Sequence, residues 1–155
     1  MQAEALNKAI VIKPQEMNKT IIREMIEAIG QKGFAAQADF FAERCMNHGM
    51  PVTRDAVRAV LQDIATTFPD ARLEPLAMVA EGDWVVLRCF LSGTHRGLGQ
   101  HPFVHGGVLA GVPPTGKSVR VQHIHMFRLR DGLVVEHWAA RDDVGMMRQL
   151  GLMKS

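Results

Sequence analysis

The stretch that decides the fold reads Val119-Arg120-Val121-Gln122-His123-Ile124-His125-Met126-Phe127-Arg128-Leu129-Arg130-Asp131-Gly132-Leu133-Val134-Val135-Glu136-His137-Trp138. Side-chain character alternates along it with a period of two, as in strands with one buried face. Arg130-Asp131-Gly132 breaks the alternation and turns the chain. A two-residue Asp-Gly loop pairs Arg130 with Leu133 and sets His125 opposite Trp138. A three-residue loop, with Gly132 as a left-handed bulge residue, pairs Leu129 with Leu133. Phe127 then faces Val135, His125 faces His137 and His123 faces Ala139. A slip of one residue exchanges the two faces. The second register segregates the side chains more cleanly and is the one expected. It gathers Val119, Val121, His123, His125, Phe127, Leu133, Val135, His137 and Ala139 on one wall, and puts Arg120, Gln122, Arg128 and Glu136 on the other.

Outward from this hairpin, the same period predicts strands at 72–80 and 84–95, joined by Glu81-Gly82-Asp83. Between Gly97 and Gly116 lies a long glycine- and proline-rich loop, the kind that forms lids and binding loops. Ahead of the strands the spacing is helical. Met17, Ile21, Ile22, Met25, Ile26 and Ile29 recur at three and four residues until Gly30 and Gly33. A second helix is expected over 34–45. A third follows the N-cap Thr53 along Val57, Val60, Leu61, Ile64 and Phe68 to Pro69. A short helix over 142–150 closes the chain. Helices first and antiparallel strands after give the α+β class. Residues 16–155 read as one domain, with 1–15 as a tail or an added strand.

The chain has 155 residues, 47% apolar and 22% charged, with a formal net charge of +2 and both signs interspersed. That suits one domain with its own core and argues against a nucleic-acid binder. No window reaches the roughly 18 to 20 apolar residues of a membrane span, and the apolar run at 9–12 is too short for a signal peptide. Cys45 and Cys89, far apart and in apolar surroundings, read as buried free thiols of a reducing compartment. A soluble cytoplasmic protein is expected.

Three imidazoles on an apolar wall can do several things. Burial lowers their pKa and keeps them neutral, so that one accepts a proton while another orients it or donates to a carbonyl. The plain alternative is a set of satisfied core residues. A metal site is the other alternative, with His123, His125 and His137 as ligands. No carboxylate follows at cupin spacing over 126–130, and three leading helices do not suit a cupin barrel, so no metal is expected.

The chain resembles the SnoaL-like polyketide cyclase, or ester cyclase, branch of the nuclear-transport-factor-2-like superfamily over roughly residues 20–151. The resemblance rests on Val85-Val86-Leu87-Arg88, Gly93-Thr94-His95-Arg96-Gly97, the run from Gly111 to Lys117, the run from Arg128 to Trp138, Asp142, and the run from Gly145 to Gly151. Asn47-His48 and Phe68-Pro69-Asp70 match more weakly. The resemblance implies a cone-shaped α+β barrel, with a curved antiparallel sheet wrapped around the N-terminal helices, an apolar pocket and commonly a homodimer. It implies an intramolecular aldol ring closure without metal or organic cofactor, by an acid–base aspartate with nearby histidines. That aspartate usually follows the tryptophan directly; here the position is Ala139. The loop after Gly97 is also longer than usual and carries His101 and His105.

The expected catalytic set is therefore His125 as base or acid, His137 as its orienting partner, His123 as donor to a carbonyl, and Asp142 as replacement carboxylate. An aspartate in that place is more often a helix N-cap. Asn47, His48, Phe127, Arg88 and Arg141 are the expected substrate contacts. The expected activity is cofactor-independent acid–base chemistry, such as cyclisation or isomerisation, on a small apolar carbonyl compound such as a polyketide. A non-catalytic small-molecule binding protein of the same fold is the alternative.

Overall fold

The computed structural model describes residues 12–102 and 107–154. Most of the N-terminal tail or strand expected over 1–15, and His105, lie outside the described residues. Helix α1 spans Pro14–Lys32. It starts on its own proline, whose missing N–H costs nothing in a first turn. A 3-10 helix, Phe34–Phe40, leads into strands β1 (Phe41–Asn47) and β2 (Met50–Thr53). Helix α2 covers Arg54–Thr67, and the Thr53 hydroxyl caps it by accepting from the Ala56 N–H. Strands β3 (Arg72–Glu81), β4 (Trp84–Thr94), β5 (Ser118–Arg130) and β6 (Leu133–Arg141) precede helix α3 (Asp143–Gln149).

The six strands form one curved, unclosed sheet in the order β2-β1-β6-β5-β4-β3. Every pairing is antiparallel except β1 with β6, which run parallel. Ile22, Met25 and Ile29 of α1 and Val57 and Ile64 of α2 join the inner face of the sheet in a single core. Phe68 packs under Gly93, where a side chain would press on the Phe68 ring stem. The neighbouring Asp70 carboxylate accepts from both the backbone N–H and the hydroxyl of Thr94. Those two contacts are what the Phe68-Pro69-Asp70 and Gly93-Thr94 motifs do structurally.

Two sequence expectations need correction. The segment 34–45 is not one helix. Phe41 and Cys45 are both buried four residues apart, which mimics a helical stripe. Their spacing comes from an irregularity: between Phe41 and Met46, β1 advances five residues while β6 advances only from Val134 to Glu136. The β5–β6 turn is also the two-residue one. Arg130 pairs with Leu133, and Asp131 and Gly132 take φ values of 50° and 77°, the signature of a type I′ hairpin. Val135 is then the extra residue of a bulge, since Leu129 pairs with Val134 and Arg128 with Glu136. The bulge restores the parity that the tight turn had reversed. The histidines keep their expected face, while Val134 replaces Leu133 and Val135 in the core.

Candidate functional site

Strand β5 alternates buried and exposed residues from Ser118 to Phe127, so His123, His125 and Phe127 all enter the sheet's inner face. Strand β6 brings His137 directly opposite Phe127 and Ala139 opposite His125. His125 and His137 therefore meet on the diagonal, His125 Nδ1 lying 3.0 Å from His137 Nε2. On the far side, the parallel pairing aligns Asn47 with His137, and the Asn47 side-chain oxygen lies 2.9 Å from His137 Nδ1.

These contacts define a proton order. The Asn47 carbonyl oxygen can only accept, so His137 Nδ1 carries the hydrogen. A neutral His137 then accepts at Nε2 from the His125 Nδ1–H. A neutral His125 is left with its lone pair on Nε2, which is buried and makes no hydrogen bond among the described residues. The relay ends in an unengaged base. The ring of His123 lies 5.4 Å from that of His125.

Aromatic packing fixes the rings. Phe127, 1% exposed, stacks on His137 at 5.0 Å and on His125 at 5.7 Å between centroids. Phe41 meets His137 edge-on. His48 and Gly49 form the tight turn of a hairpin between β1 and β2, both with positive φ. That turn brings the His48 ring edge-on to His137 at 5.6 Å and to Trp138 at 5.9 Å. The sequence reading missed this hairpin, although His48-Gly49 is a usable turn signal.

Burial pushes the pKa of His125 well below the ordinary imidazole value, and the charges of Arg141 and His48 add to the effect. Burial does the same to His137, aided by His125, His48 and Arg141, and more mildly to His48. His125, His137 and His48 are thus neutral around pH 7. Arg141 stands directly opposite His123, on the same face and half-buried. Cys89 also pairs with His123, but burial raises its thiol to about 12, so it stays protonated.

Two expected site residues fall elsewhere. Arg88 is exposed on the outer face, its Nε donating to the Gln122 side chain at 3.1 Å. It sits on the opposite pleat from Leu87 and Cys89 and does not reach the histidines. Asp142 caps α3, its carboxylate accepting from the Gly145 N–H at 2.8 Å. It serves the helix rather than the relay. His95 is buried apart from the wall, its Nδ1 accepting from the Thr115 N–H at 3.3 Å. Among the described residues, no group of three or more His, Cys, Asp or Glu is arranged to hold a metal ion, and no helix is long and apolar enough to cross a membrane. Two open surface depressions, one beside Arg148 and one beside Asp63 and His101, include none of the wall residues.

The sequence profile of the SnoaL-like polyketide cyclases matches residues 19–150. The chain is 29% identical over 114 residues to nogalonic acid methyl ester cyclase of Streptomyces nogalater, covering 73% of this chain and 78% of that one. It is 29% identical over 138 residues to aklanonic acid methyl ester cyclase DnrD of Streptomyces peucetius, covering 84% and 88%. Among solved structures, wild-type IdmH of Streptomyces antibioticus superposes with a TM-score of 0.68 at 29% identity, covering 86% of this chain and 98% of that one.

Proposed function

Because the chain belongs to the SnoaL-like polyketide cyclase family, we propose that it is a cofactor-independent enzyme that closes a ring in a small, largely apolar polyketide-type carbonyl compound. The carrying observation is the relay from Asn47 through His137 to His125, which leaves one imidazole lone pair unengaged on an apolar wall. In the proposed step, His125 Nε2 takes a proton from the carbon beside a carbonyl, and the C–H electron pair moves onto that carbonyl oxygen as an enolate. The enolate carbon bonds to a second carbonyl carbon of the same molecule, whose oxygen takes the proton back from His125. No atom is lost and nothing is oxidised. His137 orients His125, Asn47 sets the tautomer of both, His123 donates to a substrate carbonyl, and Phe127 and His48 shape the site. A base of this kind supplies roughly 10²- to 10⁴-fold, with positioning supplying the remainder.

A homodimer belongs to the same proposal. Val79, Val86, Met126 and Trp138 stand directly opposite one another across four strands of the outer face. Val79 is 62%, Met126 40% and Trp138 41% exposed, so a second copy would cover an apolar row. A cytoplasmic location is proposed as well, supported by Cys45 and Cys89 being buried free thiols.

One observation favours a second reading, a binding protein without turnover: Ala139, opposite His125, lacks the carboxylate that the resemblance leads one to expect. Incubation with an aromatic polyketide β-keto methyl ester separates the two. Cyclised product from the wild-type protein, lost in His125→Ala, supports the enzyme; tight binding without product under all conditions overturns it.

A further inference from the structure

We infer that Arg141 is an anion-binding residue, and that the ligand of the histidine wall carries a planar two-oxygen anion, a carboxylate or an ionised 1,3-dicarbonyl, beside its reacting carbon. This rests on the histidine wall being the substrate site.

Arg141 lies directly across the ladder from His123, on the face that also carries His125 and His137. It is half-buried and makes no ion pair or hydrogen bond among the described residues. Its sequence neighbour Asp142 is turned to the Gly145 N–H, and Glu136 lies on the outer face with Arg128 and the Trp138 indole. Its positive charge disfavours protonation of the imidazoles His125, His137 and His48, and the Cys89 thiol on the same wall stays protonated and neutral. A partly desolvated cation among groups of potential like charge is costly for the fold. An anion arriving from solution offsets that cost. Guanidinium presents parallel N–H donors that match a carboxylate or a delocalised enolate, and not a neutral ester. The enolate of the proposed ring closure is one such anion, so the residue would serve either ground-state binding or the developing charge.

Binding measurements on the full chain decide this with two probe pairs at neutral pH. The first is an anthraquinone carboxylate and its methyl ester. The second is dimedone, ionised under these conditions, and its enol methyl ether. At least one anion should bind on the order of tenfold more tightly than its neutral partner. Arg141→Gln should erase the preference by weakening the anion alone, and Arg141→Lys should retain part of it. A preference confined to the carboxylate pair assigns a substrate acid; one confined to dimedone assigns an enolate. Equal binding within both pairs, an equal loss for anion and neutral partner in Arg141→Gln, or no binding of any probe overturns the inference. Arg88→Gln, on the outer face, should leave the preference unchanged. Failure of the ring-closure reading thus appears as absent turnover with the preference intact, distinct from failure of the anion site.

Discussion

His125 and His137 are not partners across the β5–β6 ladder, yet their ring nitrogens lie 3.0 Å apart. His137 is opposite Phe127, and the histidines reach each other diagonally, two residues offset along the strand. Phe127 lies stacked against both rings, so neither imidazole can swing away without opening the core. Asn47 holds the other end of the pair.

On the proposed reading, that arrangement makes Asn47 a positioning residue. Asn47→Ala should lower kcat by about tenfold with KM little changed, the size expected for one oriented hydrogen bond. Asn47→Asp should raise the pKa of His137, because a carboxylate at 2.9 Å favours imidazolium. Steady-state kinetics checks the first and ring-nitrogen NMR titration the second.

Acid should unfold the protein early. His125 and His137 have folded-state pKa values below 6.5, the ordinary value they regain when unfolded. Below pH 6.5 the unfolded chain binds protons first. Stability is therefore complete above that pH and falls as the pH drops through it, by up to about 1.4 kcal/mol per pH unit for each ring. Urea unfolding at a series of pH values should show this slope, and His137→Phe should reduce it. Activity dependent on neutral His125 should stay flat from neutral pH to well below 6.5.

Ala139→Asp would restore a carboxylate across the ladder from His125. It should raise the His125 pKa by roughly one to three units and flatten the acid limb of the stability curve. Titration of the His125 ring gives the shift directly; an unchanged value would show that position 139 does not address His125.

Gly97 packs its Cα against the end of α2, and a methyl group there would collide with the Thr66 carbonyl oxygen. Backbone cannot yield as a side-chain tip can. Gly97→Ala should cost roughly 1–3 kcal/mol and loosen the loop that starts at His95. Limited proteolysis within 97–116, faster in the variant, is the readout.

Much of this fold is legible in sequence because its sheet alternates cleanly. The strands β3 to β6, the caps at Thr53 and Asp142 and the common face of the histidines all follow from periodicity and turn chemistry. What escaped has physical causes. The irregularity in β1 gave Phe41 and Cys45 a helical spacing, which hid both a strand and the parallel pairing that brings Asn47 to His137. The tight turn at Asp131-Gly132 and the bulge at Val135 are two departures that cancel, so the histidine face was right although the register was not. Arg88 was misread because a motif match carries no information about which side of the pleat a residue occupies.

The contact between Asn47 and His137 spans 90 residues of chain. During synthesis Asn47 would emerge long before its partner exists, and the pairing needs the last strand of the sheet. On the proposed reading, acid–base competence is thus acquired only when the first and last strands in chain order, neighbours in the middle of the sheet, have paired, at high contact order. An incomplete or partly assembled chain would hold ordinary solvated imidazoles, and would be chemically silent toward reactive carbonyl compounds in its surroundings.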